Sequence, residues 1–414
     1  MIIWVFQTGE PLHIDSENPR PMRAMNLCNK LVDRGHDVVL WSSAFNHQKK
    51  IHRSRNFESI RINSNFEIRL IPSWGYKKHI GLARLVDHGQ MAINFKRLLN
   101  QEEAAPDVAF IGYPPIEAAT VFSNWLIKRN IPAMLDVKDL WPQMFVDVLP
   151  NFLQPLGKIF FYPYFYLAKK AIRNVDSISA MTPSFLSWVL NFANKKKTKL
   201  DRVFRLTSPD EPSNPLDLIK ANSFWQEQGV SKDHPVIFFV GTFMSVFDFK
   251  PVQRAAKKLA KKGVKCQFVL CGAGDYLEEV KVMMDGLNNV FFPGWIDKPE
   301  IESLAKMSIA SLAPYKNIDN YILNTPNKIV DALSFGLPVL SPLKGEVTEL
   351  IKMHKVGFSY GEFLTLEKCI LDLIDNKTLQ KKISRNARNL YSEEFEFNKV
   401  YDNLVTHLEE LASI

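Results

Sequence analysis

The run from Tyr321 to Pro342, YILNTPNKIVDALSFGLPVLSP, decides how the rest of the chain is read. Asn324-Thr325-Pro326-Asn327 forms a turn, and Ile329, Val330 and Leu333 are the apolar positions of a short helix that stops at Gly336. Pro suits a helix start because its missing N–H costs nothing there, and Gly suits the position just past the end. Pro338 then leads into a second apolar run, Val339-Leu340. The free N–H groups of this helix open onto a loop, Asn327 begins it, and Lys328 lies in its first turn, which makes a ready seat for a phosphate. Asp331 follows three residues later along a similar face. A carboxylate there can accept the two vicinal hydroxyls of a ribose.

Outward from this stretch, apolar strand-like runs alternate with helix-period segments, the pattern of an α/β fold with parallel sheets. Strands are predicted over 2–6, 38–41, 68–71, 108–111, 133–136 and 177–181, with helices over 21–34, 82–99, 116–128 and 152–172. The stretch 208–215, SPDEPSNP, holds only turn formers and acids and reads as a linker. Strands over 236–240, 267–271, 290–292, 309–313 and 339–340 follow, and an amphipathic helix over 394–412 ends the chain. This predicts two doubly wound domains, 1–207 and 216–393, with the helix 394–414 packing back on the first. Ligands of such sheets bind at the carboxyl ends of strands, so two such edges can face one central cleft.

Composition narrows the classes. At 414 residues two domains are the default, and 46% hydrophobic residues mark a globular chain. The four cysteines have no C-x-x-C spacing, which argues against a zinc site or a disulfide scaffold. His13, His36 and His354 show no ligand spacing, and no metal is expected. Met1 runs straight into IIWVFQ without a basic segment, so no signal peptide is expected. A net charge of +8 favours anionic partners, and with no nucleic-acid motif present, nucleotide phosphates and lipid headgroups rank above nucleic acid. The aromatic stretch from Trp141 to Tyr166, followed by Lys169, Lys170 and Arg173, reads either as a buried helix or as one lying in a membrane interface.

Candidate site residues fall just after strands. Gly241-Thr242, with Lys250 opening the next helix, is either an ordinary turn or a phosphate loop. Gly272 and Gly274 flank a tight turn in which Asp275 reads as the cap of the following helix. Gly294-Trp295-Ile296 offers an aromatic plane for a nucleobase, although an isolated Trp is equally a packing residue. In the first half, Gly9 would allow a phosphate to approach, Glu10 adjoins it, and Arg23 suits a bidentate anion contact. Arg20 reads equally as site or surface. Asp136, Lys138 and Asp139, in DVKDLWP, concentrate charge at a strand end, with Asp139 placed as a general base against the alternative of a cap in a salt bridge.

Taken together, these residues resemble the retaining family 4 glycosyltransferases of the GT-B fold, which build bacterial O-antigen and capsule. The likeness spans nearly the whole chain. It rests on Arg34-Gly35-His36-Asp37-Val38, the DVKDLWP element, Gly241-Thr242, Gly272-Ala273-Gly274, Gly294-Trp295, and Pro326-Asn327-Lys328 through Gly336-Leu337-Pro338-Val339. DLWP is similar to the branch that transfers fucosamine-type sugars onto undecaprenyl-linked intermediates. The resemblance implies a nucleotide-sugar donor on the second domain, with Lys328 at the diphosphate, Asp331 on the ribose and the base against Gly294 to Ile296. It implies a polyprenyl-diphosphate-linked acceptor on the first domain, attachment to the cytoplasmic face of the inner membrane, and no cofactor or metal.

The chain departs from that pattern at three places. Leu323 stands where the family has the first of two glutamates, Thr242 replaces a common arginine, and only Lys250 can replace the usual lysine of that loop. A nucleotide-sugar epimerase of the same architecture and a non-catalytic nucleotide-sugar-binding protein are the alternatives. A dinucleotide oxidoreductase is disfavoured, since no strand leads into G-x-G-x-x-G.

Overall fold

Ile2–Phe6, IIWVF, is apolar at every position, which suits a parallel strand covered on both faces. In the computed structural model, which describes residues 1–15, 21–77, 81–207, 209, 211–361 and 363–414, it is the centre of an eight-stranded sheet. The strands of this part of the chain are β1 (Ile2–Phe6), β2 (Asp37–Ser43), the small ribbon β3 (Phe45–Asn46) and β4 (Ile51–His52), β5 (Glu58–Asn63), β6 (Phe66–Ile71), β7 (Val108–Tyr113), β8 (Ala133–Val137), β9 (Ser177–Ala180) and β10 (Arg202–Val203). The sheet order is β10-β9-β8-β7-β1-β2-β6-β5. All neighbours are parallel except β5, which runs antiparallel to β6 at the edge. Helices Leu82–Gln101 and Ile116–Ile127 cover one face, with Phe6 stacked on Phe95 at 5.1 Å and Trp4 on Trp125 at 5.5 Å.

The chain divides into two units, Met1–Arg205 with Val400–Ile414, and Leu206–Lys399. The second unit holds a six-stranded, wholly parallel sheet of β11 (Val236–Val240), β12 (Gln267–Cys271), β13 (Val290–Gly294), β14 (Ser308–Leu312), β15 (Val339–Ser341) and β16 (Gly357–Ser359), in the order β13-β12-β11-β14-β15-β16. Its helices show why one face is buried. In Lys250–Lys261, Val252, Ala255, Ala256 and Leu259 recur every three to four residues and enter the core, while the lysines stay outside.

Several expectations change. The helix predicted over 152–172 breaks at Phe161 into Gln154–Phe160 and Tyr162–Arg173, because Pro163 favours the first turn of a new helix over the interior of a long one. Its outer residues are exposed rather than buried. Asp275 is not a cap: the next helix runs over Leu277–Met283 and Tyr276 occupies the N-cap. The terminal helix begins later, at Phe397, where the Glu396 carboxylate accepts the N–H groups of Asn398 and Lys399 at 2.9 and 2.6 Å. It then joins the first unit, with Glu409 bridging His36 and Arg34 at 2.9 and 3.2 Å. Arg20, and residues 208 and 210 of the expected linker, lie outside the described residues.

Candidate functional site

At the carboxyl edge of the second sheet, three loops are tied to one another through their backbones. Gly241 N–H donates to Cys271 O at 3.0 Å, Phe243 N–H to Ala273 O at 2.8 Å, and Gly272 N–H to Gly294 O at 2.7 Å. The approach is too close for a side chain at Gly272, whose Cβ would lie 2.0 Å from the Gly241 carbonyl oxygen. Gly274 belongs to the same packed turn, and Thr242 stands exposed beside it.

Lys328 closes this edge from the helix Asn327–Ser334. Its ammonium donates to Val240 O and lies over the rings of Phe239 and Phe247, 4.5 and 5.4 Å from their centroids. A Cβ on Gly241 would fall 1.8 Å from that nitrogen, so the glycine makes room for the cation. Burial pulls the Lys328 ammonium down to about 8, against the opposing pull of the Asp331 carboxylate. A cation enclosed beside a helix N-terminus, held on a backbone carbonyl and against two aromatic faces, is poised to gain from an incoming anion.

The turn before this helix contributes groups that sequence reading treated as turn formers only. Asn324 and Thr325 are buried, yet Asn324 Oδ1 and Thr325 Oγ1 have no hydrogen-bond partner among the described residues. Buried polar atoms are normally paired, so two such atoms one turn from Lys328 belong with the site. Their only signal in the sequence is polarity just upstream of the lysine. Gly345, after β15, also packs here, with φ +65° and its Cβ position 2.4 Å from Ile322 O, which holds the backbone beside Leu323.

The remaining candidates of this unit divide. Trp295 is 70% exposed, its indole N–H only weakly held by Asp297 at 3.3 Å, so its ring is a surface plane and not core. Ile296 is the reverse: its side chain packs in the core with Trp225 and Leu304, leaving only its backbone for a ligand. Lys250 is exposed at the head of its helix, its N–H on Asp248 at 3.0 Å.

In the first unit, a cavity of about 230 Å³ opens at the carboxyl ends of β1 and β7. Gly9, Glu10, Lys138 and Asp139 all line it. Glu10 is anchored, taking Lys138 on one oxygen and the N–H of Ala24 at 2.8 Å on the other. Gly9 has no neighbour within 4 Å of a would-be Cβ, so packing does not require a glycine there. Arg23 and Asp136, also candidates of this half, are not among the residues that line the cavity. Arg23 does make a bidentate contact, but to Asp136, at 2.8 and 2.9 Å, and both are buried. Burial would push the Asp136 carboxyl up, but Arg23, Lys138 and the Ser179 hydroxyl outweigh it and hold it below the usual carboxylate range. This pair pins the first helix to β8.

The cavity also gathers residues that sequence reading missed. Phe45, Tyr76 and Tyr113 give it aromatic walls, and Gln7, Arg84, Asp87 and His88 give it polar ones. Burial, then Arg84 and His47, pull His88 down to about 3, so its ring is neutral. Burial raises the Asp87 carboxyl, which accepts the Gly75 N–H at 2.6 Å. The Gln7 side-chain oxygen is buried without a partner among the described residues. Hydrogen-bonding groups, both charged and neutral, between aromatic walls suit a polyhydroxylated ring. These residues come from five separate segments, and no spacing rule links them.

Three comparisons bear on this geometry. Residues 222–390 match the family model described as Glycosyl transferases group 1, within the second unit. No curated protein sequence gives a significant match. Among solved structures, the chain is similar to sucrose-phosphate synthase from Thermosynechococcus elongatus, with TM-score 0.72 and 12% identity over 100% of this chain and 99% of that one. It is similar to WaaG, a glycosyltransferase involved in lipopolysaccharide biosynthesis, with TM-score 0.66 and 13% identity over 99% of both chains. It is also similar to Anabaena HepE in complex with UDP, with TM-score 0.64 and 16% identity over 100% of both. At these identities the likeness establishes the fold, the two-Rossmann-domain fold of these glycosyltransferases.

Proposed function

We propose that this chain is a glycosyltransferase that moves a sugar of the N-acetylated hexosamine type from a UDP-linked donor to a polyprenyl-diphosphate-linked saccharide. The transfer retains configuration and serves O-antigen or capsule assembly at the cytoplasmic face of the inner membrane. The observation that carries the reading is Lys328, an enclosed ammonium at the mouth of the packed glycine loops, in the unit that the glycosyltransferase family model matches.

In this reading the acceptor oxygen bonds to the anomeric carbon as the bond from that carbon to the diphosphate breaks. Lys328 and the N–H groups at the start of Asn327–Ser334 take up the charge that develops on the leaving diphosphate, without a metal ion. Asp331 accepts the ribose hydroxyls, and the exposed ring of Trp295 receives the base. In the first unit the cavity beside Gly9 holds the acceptor saccharide, and Asp139 orients its hydroxyl and takes its proton.

A thermal-shift panel of nucleotides and nucleotide sugars tests the donor half. UDP and UDP-sugars are expected to raise the melting temperature above GDP or ADP, and a flat response to every nucleotide would overturn the reading. Leu323, in place of the glutamate that the resemblance calls for, favours a second reading, a nucleotide-sugar-binding protein without transfer. A chain that binds UDP-sugar yet glycosylates no lipid-linked acceptor would support that second reading, and an altered sugar from donor alone would indicate an epimerase.

A further inference from the structure

Phe152, Leu156, Ile159, Phe160, Tyr162 and Tyr166 each leave between 57% and 78% of their surface exposed. Leu156, Ile159 and Phe160 recur at intervals of three and one on the helix Gln154–Phe160, Phe152 lies in the short turn Asn151–Leu153 that leads into it, and the two tyrosines repeat one turn apart on the next helix. Soluble surfaces scatter such residues singly, whereas a contiguous apolar face of this kind marks a docking surface. From Val148 to Arg173 the chain carries four basic residues and no acidic one.

The charge pattern selects the partner. Lysine is depleted at protein–protein interfaces, but it suits an anionic lipid surface, where its stem lies along apolar groups and its ammonium reaches the phosphates. Tyrosine is likewise enriched at the level of the headgroups. No helix among the described residues is long and apolar enough to cross a membrane, so these short helices can only lie on one.

The patch also adjoins the first-unit cavity. The Arg84 guanidinium on the cavity wall lies 4.8 Å over Trp141, Trp141 meets Phe145 at 4.6 Å, Phe145 meets Phe161 at 5.2 Å, and Phe161 meets the exposed Phe160 at 5.0 Å. An unbroken line of rings thus runs from the cavity wall to the surface.

We infer that the face formed by the turn Asn151–Leu153 and the helices Gln154–Phe160 and Tyr162–Arg173 docks on an anionic lipid bilayer. Phe152, Leu156, Ile159 and Phe160 enter below the headgroups, and Lys158 and Lys170 lie at the level of the phosphates. The cavity then opens beside the bilayer, where a lipid-anchored ligand would be delivered. The docking is independent of which reaction the chain performs.

The test is co-sedimentation of the full chain with vesicles of phosphatidylglycerol and phosphatidylcholine, against phosphatidylcholine alone. Binding is expected to the anionic vesicles and to fall at least tenfold in the triple variant F152S/I159S/F160S, with an unchanged melting temperature because these side chains are already exposed. Lys158→Gln and Lys170→Gln should each weaken binding about fivefold. Equal binding by the triple variant would overturn the inference. So would a wild-type chain that ignores anionic vesicles but self-associates or holds a protein partner through this face.

Discussion

Lys328 donates its ammonium to the carbonyl oxygen of Val240, the last residue of β11, across 88 positions of sequence. This contact sets the cation where the β11 loop, the β12 loop and the N-terminus of Asn327–Ser334 meet. Lys328→Met keeps most of the length of the side chain and removes the charge. It should lower donor turnover at least a hundredfold, the scale seen when a donor to a developing oxyanion is lost, with a stable fold. Asp331→Ala should instead weaken UDP binding through the ribose. Steady-state kinetics with both variants check this, and unchanged kcat/KM in both would remove them from the site.

The Lys328 ammonium is held down at about 8 by burial, well below an ordinary lysine. The unfolded chain therefore binds more protons between pH 8 and 10.5, and the contribution of Lys328 to stability rises with pH across that window. Anion binding runs the other way. A diphosphate needs the charged form, so the Kd for UDP should climb above pH 8, toward tenfold per unit. Lys328→Arg, which stays charged, should flatten this rise in calorimetric titrations between pH 7 and 10.

Gly241 and Gly272 predict different outcomes for the same substitution. At Gly272 an added Cβ meets backbone, which cannot move aside, so Gly272→Ala should cost about 1–3 kcal/mol in denaturant unfolding. At Gly241 it meets the end of a flexible lysine. Gly241→Ala should therefore displace the Lys328 ammonium and impair nucleotide binding more than its effect on stability would suggest.

Arg23 and Asp136 form a buried pair, and breaking it should be felt as instability. Asp136→Asn leaves the guanidinium without its counter-charge and is expected to cost about 3–5 kcal/mol. Because the Asp136 pKa is depressed in the folded chain, its contribution is present above the usual carboxylate range and is lost as pH falls below it. Urea unfolding at pH 7 and pH 3 should show the gap between wild type and variant narrowing in acid.

Much of the architecture was legible from the sequence because its signals are local. β11 and β12 appear at the predicted residues, since VIFFV and QFVLC are short apolar runs bounded by Pro or Gly. β5 and β16 were not foreseen. β5 is an exposed edge strand with only Ile60 and Ile62 apolar, and β16 is three residues long, so neither carries enough pattern to read.

What the sequence determined by itself was the alternation that yields two parallel sheets, and the helix that presents Lys328 and Asp331 one turn apart. Both rest on periodicity and capping, which act within a turn or a strand. Only the tertiary structure decided that Arg23 meets Asp136, that Trp295 lies on the surface while Ile296 enters the core, and that Asn324 and Thr325 bury oxygens with no hydrogen-bond partner among the described residues. Pairing and burial depend on which distant segments share a sheet edge, and no short stretch of residues contains that information.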